Sequence, residues 1–309
     1  MGQVEPLEVG RTHQGDAAEL MGRIPTGSVD LSLFAPPPVG DGSFEGWEQL
    51  LTDVLTASER VIKPGGFVAV IAADVLAFPD EDLPRFQADV VGAKRSAVTY
   101  DMVMGAIAAD PTLNHRQLAD LLGCSEQTIA RRLGDNNVRV GELPTQTRVK
   151  PIAGVLETIG AQVGLPLYDR RVWVKEPVWG ASRWHASSYR AVEDLEHVLV
   201  FWKPGITTVD RSRLQPYEWT TWGSRGVWNI HHDQEGDHER RFPIVLARRL
   251  IRLLTDPDAL ILDPFMGTGT TGVAAIELGR EFIGIEADAS WVDAANRNAV
   301  AVAQEPTLF

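Results

Sequence analysis

The chain has 309 residues, enough for one large or two modest domains with a buried core. Its 44% hydrophobic and 23% charged residues are an ordinary globular mix, with no apolar run near the roughly 18 residues that cross a membrane. The start, MGQVEPLEVGRTHQGDAAEL, lacks a basic-then-apolar leader, so a cytoplasmic location is expected. A single cysteine, Cys124, excludes an internal disulfide framework and a cysteine-cluster metal site. The net charge of −13 argues against broad non-specific binding of polyanions, but it is unevenly spread. Residues 1–84 carry four Lys/Arg against fourteen Asp/Glu, and residues 85–150 carry nine against seven. Any polyanion contact should therefore centre on the middle of the chain.

In chain order, Val29–Phe34 reads as a short buried strand stopped by Pro36-Pro37-Pro38, because proline offers no N–H to a ladder. Leu50–Ile62 has helical spacing, Lys63–Gly66 reads as a turn, and Phe67–Ala72 is a continuous apolar strand of the parallel-sheet kind. The acidic, proline-flanked Phe78–Pro84 marks a boundary. The expected division is residues 1–84, an inserted helical segment 85–148, and 149–309. Ile152–Val163 reads as a helix and Val172–Lys175 as a strand, while the Pro-, Gly- and Trp-rich stretch 176–228 is expected to be long loops. Arg241–Leu254 is an amphipathic helix. Leu260–Asp263 and Phe282–Glu286 are strands, and Thr270–Leu278 and Trp291–Val302 are helices. The βαβ-rich blocks at the two ends are able to share one sheet.

The sharpest local signal is the glycine loop Gly267-Thr268-Gly269-Thr270-Thr271-Gly272 between the strand ending at Asp263 and the next helix. Glu286 closes the following strand. Tight turn, close backbone approach and a distal acid together form a nucleotide fingerprint. No lysine follows the last glycine, so it is not a phosphate-cradling P-loop. A nicotinamide dehydrogenase would share the glycine pattern.

The segment DPFMGTGTTGVAAIELGREFIGIEADASW resembles the S-adenosylmethionine-binding segment of DNA amino-methyltransferases, which act on adenine N6 or cytosine N4. The runs GDAAELMGRIPTGSVDLSLFAPPPV, ERVIKPGGFVAVIA, VWVKEP, VWNIHH and DHERRFPIVLARRLI extend the resemblance over most of the chain and weaken the dehydrogenase reading. The catalytic motif precedes the cofactor motif, the order of the subgroup called beta. The resemblance implies an α/β fold: a doubly wound, mostly parallel, Rossmann-like sheet with an inserted helical module. It implies S-adenosylmethionine as cofactor and double-stranded DNA as partner, in the setting of DNA modification and restriction-modification. It leaves open whether the chain works alone or as a homodimer. It assigns Asp263, Phe265, Gly267, Gly269 and Thr270 to the cofactor's amino-acid end, Glu286 to the ribose and Asp16 to the vicinity of the adenine.

The family's catalytic motif is a polar residue, then Pro-Pro, then an aromatic. Its acceptor localises the amine lone pair, and the aromatic stacks on a flipped base. The register places Ala35-Pro36-Pro37-Pro38 there. Ala35 has no acceptor side chain and Pro38 no aromatic face. Phe34, Phe44 or Trp47 are available for stacking and Asp41 as an acceptor. A missing site hydrogen bond costs ~2–4 kcal/mol of transition-state stabilisation, so the rival reading is a DNA-binding protein that keeps the cofactor pocket with silent or altered chemistry. Transfer to carbon through a cysteine is excluded near this motif.

Leu113–Leu133 has the layout of a helix-turn-helix, with Leu118, Leu121, Leu122, Ile129 and Leu133 facing inward and Gly123-Cys124-Ser125 as the turn. Gln127, Thr128, Arg131 and Arg132 are expected to face outward, towards DNA. His231, His232 and His238 lack accompanying ligands at metal spacing, and no metal is expected. Trp219, Trp222 and Trp228 read as packing residues.

Overall fold

The apolar runs near both ends of the chain lie side by side in one eight-stranded sheet. The computed structural model describes residues 5–39, 43–79, 82–83, 97–133, 147–175, 193–231 and 242–304. The chain divides into a larger unit, comprising Met1–Phe78, Val149–Arg183 and Ala191–Phe309, and a smaller one built around Pro79–Arg148. The strands are β1 (Arg11–Gln14), β2 (Val29–Phe34), β3 (Ile62–Ala72), β4 (Val75–Pro79), β5 (Thr147–Lys150), β6 (Leu167–Val174), β7 (Leu195–Trp202), β8 (Val227–Asn229), β9 (Leu260–Asp263) and β10 (Glu281–Glu286). The main helices are α1 (Ala17–Met21), α2 (Phe44–Val61), α3 (Tyr100–Ala109), α4 (His115–Leu122), α5 (Glu126–Leu133), α6 (Ile152–Gln162), α7 (Ile244–Leu254), α8 (Thr270–Glu277) and α9 (Ala289–Gln304).

The sheet order is β1-β10-β9-β2-β3-β7-β6-β8, with β4 and β5 paired separately. From β1 to β3 every neighbour is parallel, and β7 runs antiparallel to both β3 and β6. Alternation along the strands sends Phe34, Val68, Val70, Leu199 and Phe201 to one face, where they meet Met21, Leu51, Leu55, Leu156 and Ile159 of α1, α2 and α6. Leu31, Leu33, Ala69, Val200 and Ile261 go to the other, against Leu246, Leu250, Ala274 and Ala295 of α7, α8 and α9. The sheet is therefore wound on both faces, and near-continuous apolar strands are what such burial demands. The direction of winding reverses between β2 and β9: α2 leads from β2 to β3 on one face, and α8 from β9 to β10 on the other. Ligands of open α/β sheets bind outside the carboxyl ends of the strands at such a switch point.

Two expectations are corrected. The Lys63–Gly66 turn lies inside β3, where the register jumps from Val29↔Ile62 to Leu31↔Phe67, so these residues bulge rather than end the strand. The stretch 176–228 is not all loop. It contains β7, whose Val198–Phe201 are buried between β3 and β6, and it also holds short helical turns at Pro216–Glu218 and Trp219–Gly223 and the edge strand β8.

In the smaller unit, α3, α4 and α5 pack around Val98, Val103, Leu118, Ala119 and Ile129. Thr99 caps α3, and Asn114 and Gln117 form a reciprocal capping box on α4. A left-handed Gly123 ends α4, and the Ser125 hydroxyl accepts from the Thr128 N–H at the start of α5. Leu121, expected on the inner face, is 63% exposed because α4 turns Leu118 and Ala119 inward instead. Cys124 is half-buried in the turn, packed against this small core.

Candidate active site

The carboxyl ends of four adjacent strands, in the order β1, β10, β9, β2, carry the residues that the sequence singles out. Asp16 follows β1, Glu286 ends β10, Asp263 ends β9, and Ala35–Pro38 follow β2. Register aligns them: Gln14 pairs with Glu286, Gly284 with Asp263, and Ser32 with Leu262.

The glycine loop is tied to both neighbours. The Gly267 N–H donates to Glu286 Oε2 at 2.8 Å, and the Asp288 N–H donates to Glu286 Oε1 at 3.0 Å. The Met266 N–H reaches the Ile285 carbonyl at 2.9 Å. Glu286 is half-buried, and each of its oxygens keeps a second lone pair for a hydroxyl donor. Gly267 has φ +55° and open space where a Cβ would stand. Gly269 has φ +97°, and a Cβ there would lie 3.0 Å from the Ala295 Cα of α9. The left-handed turn thus packs against α9 at one glycine and leaves room at the other, as a loop that admits a ligand to its backbone must. Thr270 opens α8 directly after this turn.

Asp263 does something other than face a ligand. It is 2% exposed, Thr271 Oγ1 donates to its Oδ2 at 2.6 Å, and the Phe265 N–H donates to its Oδ1 at 2.9 Å. Burial pushes its carboxyl up to about 7, with the Glu286 charge adding to the rise and the two hydrogen bonds opposing it. It organises the loop from beneath. Asp16 likewise works locally: it is exposed and caps α1 by accepting from the Glu19 N–H at 2.9 Å. Gly15 next to it donates to the Glu286 carbonyl at 3.0 Å, which holds the Gly15-Asp16 corner beside the end of β10.

Phe265 links the glycine loop to the end of β2, just before the proline turn, its ring meeting Phe34 edge-on at 5.6 Å. Ala35, Pro36 and Pro37 are half-buried and Pro38 is exposed. In the sequence Trp47 offers only a ring for stacking. The structure shows its indole Nε1 donating to the Pro37 carbonyl at 2.7 Å, with its ring stacked on Phe44 at 5.5 Å. The signal was the spacing: Ser43 caps α2, which puts Trp47 one turn into the helix that follows the prolines. Asp41 lies outside the described residues.

The other candidates fall elsewhere. Thr128 is half-buried, and its hydroxyl lies 3.1 Å from that of Ser125 within the cap of α5. Arg132 donates through Nε to the Val98 carbonyl at 2.9 Å, tying α5 to the chain before α3. Arg132 is exposed while it bonds the backbone, whereas Thr128, expected to face outward, is half-buried in the cap. The side chains of Gln127 and Arg131 lie outside the described residues. Trp222 and Trp228 are buried edge-to-face at 6.1 Å, and the Trp228 Nε1 donates to the Trp222 carbonyl; they pack. Among the described residues, no group of three His, Cys, Asp or Glu is placed to hold a metal, and His232 and His238 lie outside them.

A family model described as DNA methylase matches residues 39–297. The chain is 46% identical over 293 residues to the Type II methyltransferase M.BglI of Bacillus subtilis, covering 93% of this chain and 84% of that one. Its fold is similar to that of a candidate DNA modification methylase of Thermus thermophilus solved with S-adenosyl-L-methionine, with TM-score 0.63, 21% identity and 96% of each chain covered. It is also similar to the cytosine-N4-specific PvuII DNA methyltransferase, with TM-score 0.62, 16% identity, and 99% of this chain and 89% of that one covered. With the glycine loop, the distal acid and the proline turn ranged along one sheet edge, and with matches of this extent, the chain belongs to the S-adenosylmethionine-dependent DNA amino-methyltransferases, the N6/N4 DNA methylases.

Proposed function

We propose that this enzyme methylates the exocyclic amine of a base turned out of duplex DNA, cytosine N4 or adenine N6, and that the amine is held by the backbone of the Ala35–Pro38 turn. The observation that carries this reading is adjacency. The proline turn leaves β2 beside the Asp263–Gly269 loop on β9, with Phe34 against Phe265. Bound S-adenosylmethionine supplies an electrophilic methyl group. Gly267, Gly269, Thr270 and Phe265 would flank its amino-acid end, Glu286 would accept from its ribose hydroxyls, and the Gly15-Asp16 corner would border its adenine.

An exocyclic amine is a donor whose lone pair is delocalised into the ring, and it becomes nucleophilic when acceptors take up its hydrogens. Ala35 offers no side-chain acceptor. Three consecutive prolines, however, carry no N–H at all, so their part of the turn presents carbonyls alone. The Pro37 carbonyl already accepts from Trp47, and the acceptor role is assigned to the carbonyl of Ala35 or Pro36, whose lone pairs are both available in this reading. Trp47 thereby fixes the turn rather than the base. Turning the base out makes its amine accessible to in-line attack.

The test restores what the motif lacks. Ala35→Ser with Pro38→Tyr should raise the rate of methyl transfer, by up to about 10²–10³ for a regained site hydrogen bond. Affinity for S-adenosylmethionine should be unchanged, because neither residue belongs to the glycine loop. Nucleoside mass spectrometry of treated DNA, beside calorimetry, reads both. A fall in transfer with cofactor affinity intact would show that the native turn is built for a different acceptor.

A further inference from the structure

Resting on the reading of DNA as substrate, we propose that Lys150 holds a phosphate of the DNA strand beside the Ala35–Pro38 turn, and so positions the nucleotide whose base is methylated. Its place in the fold carries the assignment. Lys150 is the last residue of β5, the strand paired with β4. Its Nζ lies 4.3 Å from the centre of the Phe44 ring and 5.6 Å from that of Phe78. Phe44 stacks on Trp47, whose indole donates to the Pro37 carbonyl at 2.7 Å. Two aromatic side chains thus link the ammonium to the proline turn, and all of these residues belong to the larger unit.

The second observation is that the donors of Lys150 are unspent. It is half-buried, yet it makes no hydrogen bond or ion pair among the described residues. The other lysines among the described residues are each paired: Lys63 with Asp30, Lys175 with Glu193 and Glu196, and Lys203 with Glu59. Ring faces attract the charge of an ammonium but leave its three N–H donors without an oxygen acceptor. A phosphate supplies both the opposite charge and the acceptor oxygens. The need for such a contact is also local. Residues 1–84, which include the proline turn, carry fourteen acidic against four basic residues. A DNA backbone drawn to this edge meets repulsion, which a cation without a carboxylate beside it offsets.

The third is anchoring. Two residues beyond Lys150, the Ile152 N–H donates to Asp74 Oδ1 at 2.8 Å, and Asp74 Oδ2 lies 3.4 Å from His197 Nε2 of β7. The chain that carries Lys150 is therefore tied just past the end of β3, the neighbour of β2 from which the proline turn leaves. A side chain already held over rings on an anchored strand loses less freedom on binding than one recruited from solvent. Phosphate contacts of this kind fix position and register and read no sequence. A base turned out of the duplex brings its own phosphates with it.

The experiment uses the full-length protein with S-adenosylhomocysteine in the cofactor site, so that binding is read without transfer. A fluorescein-labelled duplex of mixed sequence is titrated by anisotropy at several salt concentrations. Lys150→Met keeps an apolar stem against the rings and removes the charge. It should weaken duplex binding about tenfold and lower the salt slope by about one unit, the loss of one phosphate contact. Affinity for S-adenosylhomocysteine should be unchanged. Lys150→Arg should restore both affinity and slope, and Lys150→Gln, which keeps polar donors without the charge, should behave as Lys150→Met. Variants with a lower Tm but the native duplex affinity and salt slope would show that Lys150 is only a strut between the rings, and would overturn the assignment. None of these readings needs methyl transfer. A protein that modifies no base would contradict the proposed chemistry, while the salt slope still decides the role of Lys150.

Discussion

Asp263 shows how a residue that looks like a ligand contact in sequence becomes a scaffold in the fold. Its two oxygens serve Thr271 and Phe265, and its burial raises its pKa to about 7. An aspartate in the unfolded chain titrates near 3.9. As pH rises, the unfolded state therefore loses its proton first, and the contribution of Asp263 to stability is full below about pH 4 and lost as pH approaches about 7. Asparagine mimics the protonated form, donating to Thr271 and accepting from Phe265. Asp263→Asn should therefore gain stability relative to the native protein on the order of 1 kcal/mol per pH unit across that window, and level off above it. Denaturant unfolding of both proteins between pH 5 and pH 8 checks this, and a difference that does not vary with pH would contradict the burial argument. Sequence identified Asp263, Glu286 and the glycines because motif spacing fixes them. It could not separate ligand contact from loop support, since that depends on which backbone N–H groups end up within reach. Trp47 illustrates the same limit: its bond to Pro37 depends on how α2 returns past the turn.

At the scale of elements, the chain-end blocks were legible because β2 and β9 are short apolar runs closed by prolines. The boundaries Val29–Phe34 and Leu260–Asp263 stand as read. β7 was not legible. Its Val198–Phe201 core is a run of strand-forming residues, but it lies among tryptophans, prolines and glycines that signal loops, and its burial between β3 and β6 is a tertiary feature. The short polar β1 was missed too, since edge strands carry little hydrophobic pattern and this one is held by pairing to β10. The loop between β9 and α8 yields a prediction of contrast between two glycines. Alanine at Gly267 meets no atom within 4 Å and costs only the left-handed backbone, about 1–2 kcal/mol. Alanine at Gly269 carries that cost and also drives its Cβ to 3.0 Å from the backbone of α9. Gly267→Ala should therefore weaken S-adenosylmethionine binding with a small drop in Tm, and Gly269→Ala should weaken binding with a clearly larger one. Calorimetry and thermal unfolding distinguish them, and equal drops in Tm would contradict the packing of the loop on α9.

At the scale of the whole molecule, the residues that the sequence singles out for cofactor and catalysis lie in the larger unit. That unit ranges Asp16, Glu286, Asp263 and the Ala35–Pro38 turn along one edge of a doubly wound sheet. The smaller one presents a helix pair in the least acidic part of the chain. In the proposed reaction this edge joins a methyl donor to a base amine despite an acceptor-poor turn. Its most direct test is to incubate the unmodified protein with S-adenosylmethionine deuterated at the methyl group and mixed-sequence duplex DNA. The DNA is then digested and its nucleosides resolved by mass spectrometry. Label in N4-methylcytosine or N6-methyladenine is the result this account predicts; label in 5-methylcytosine, or DNA left unlabelled by protein that binds the cofactor, would contradict it.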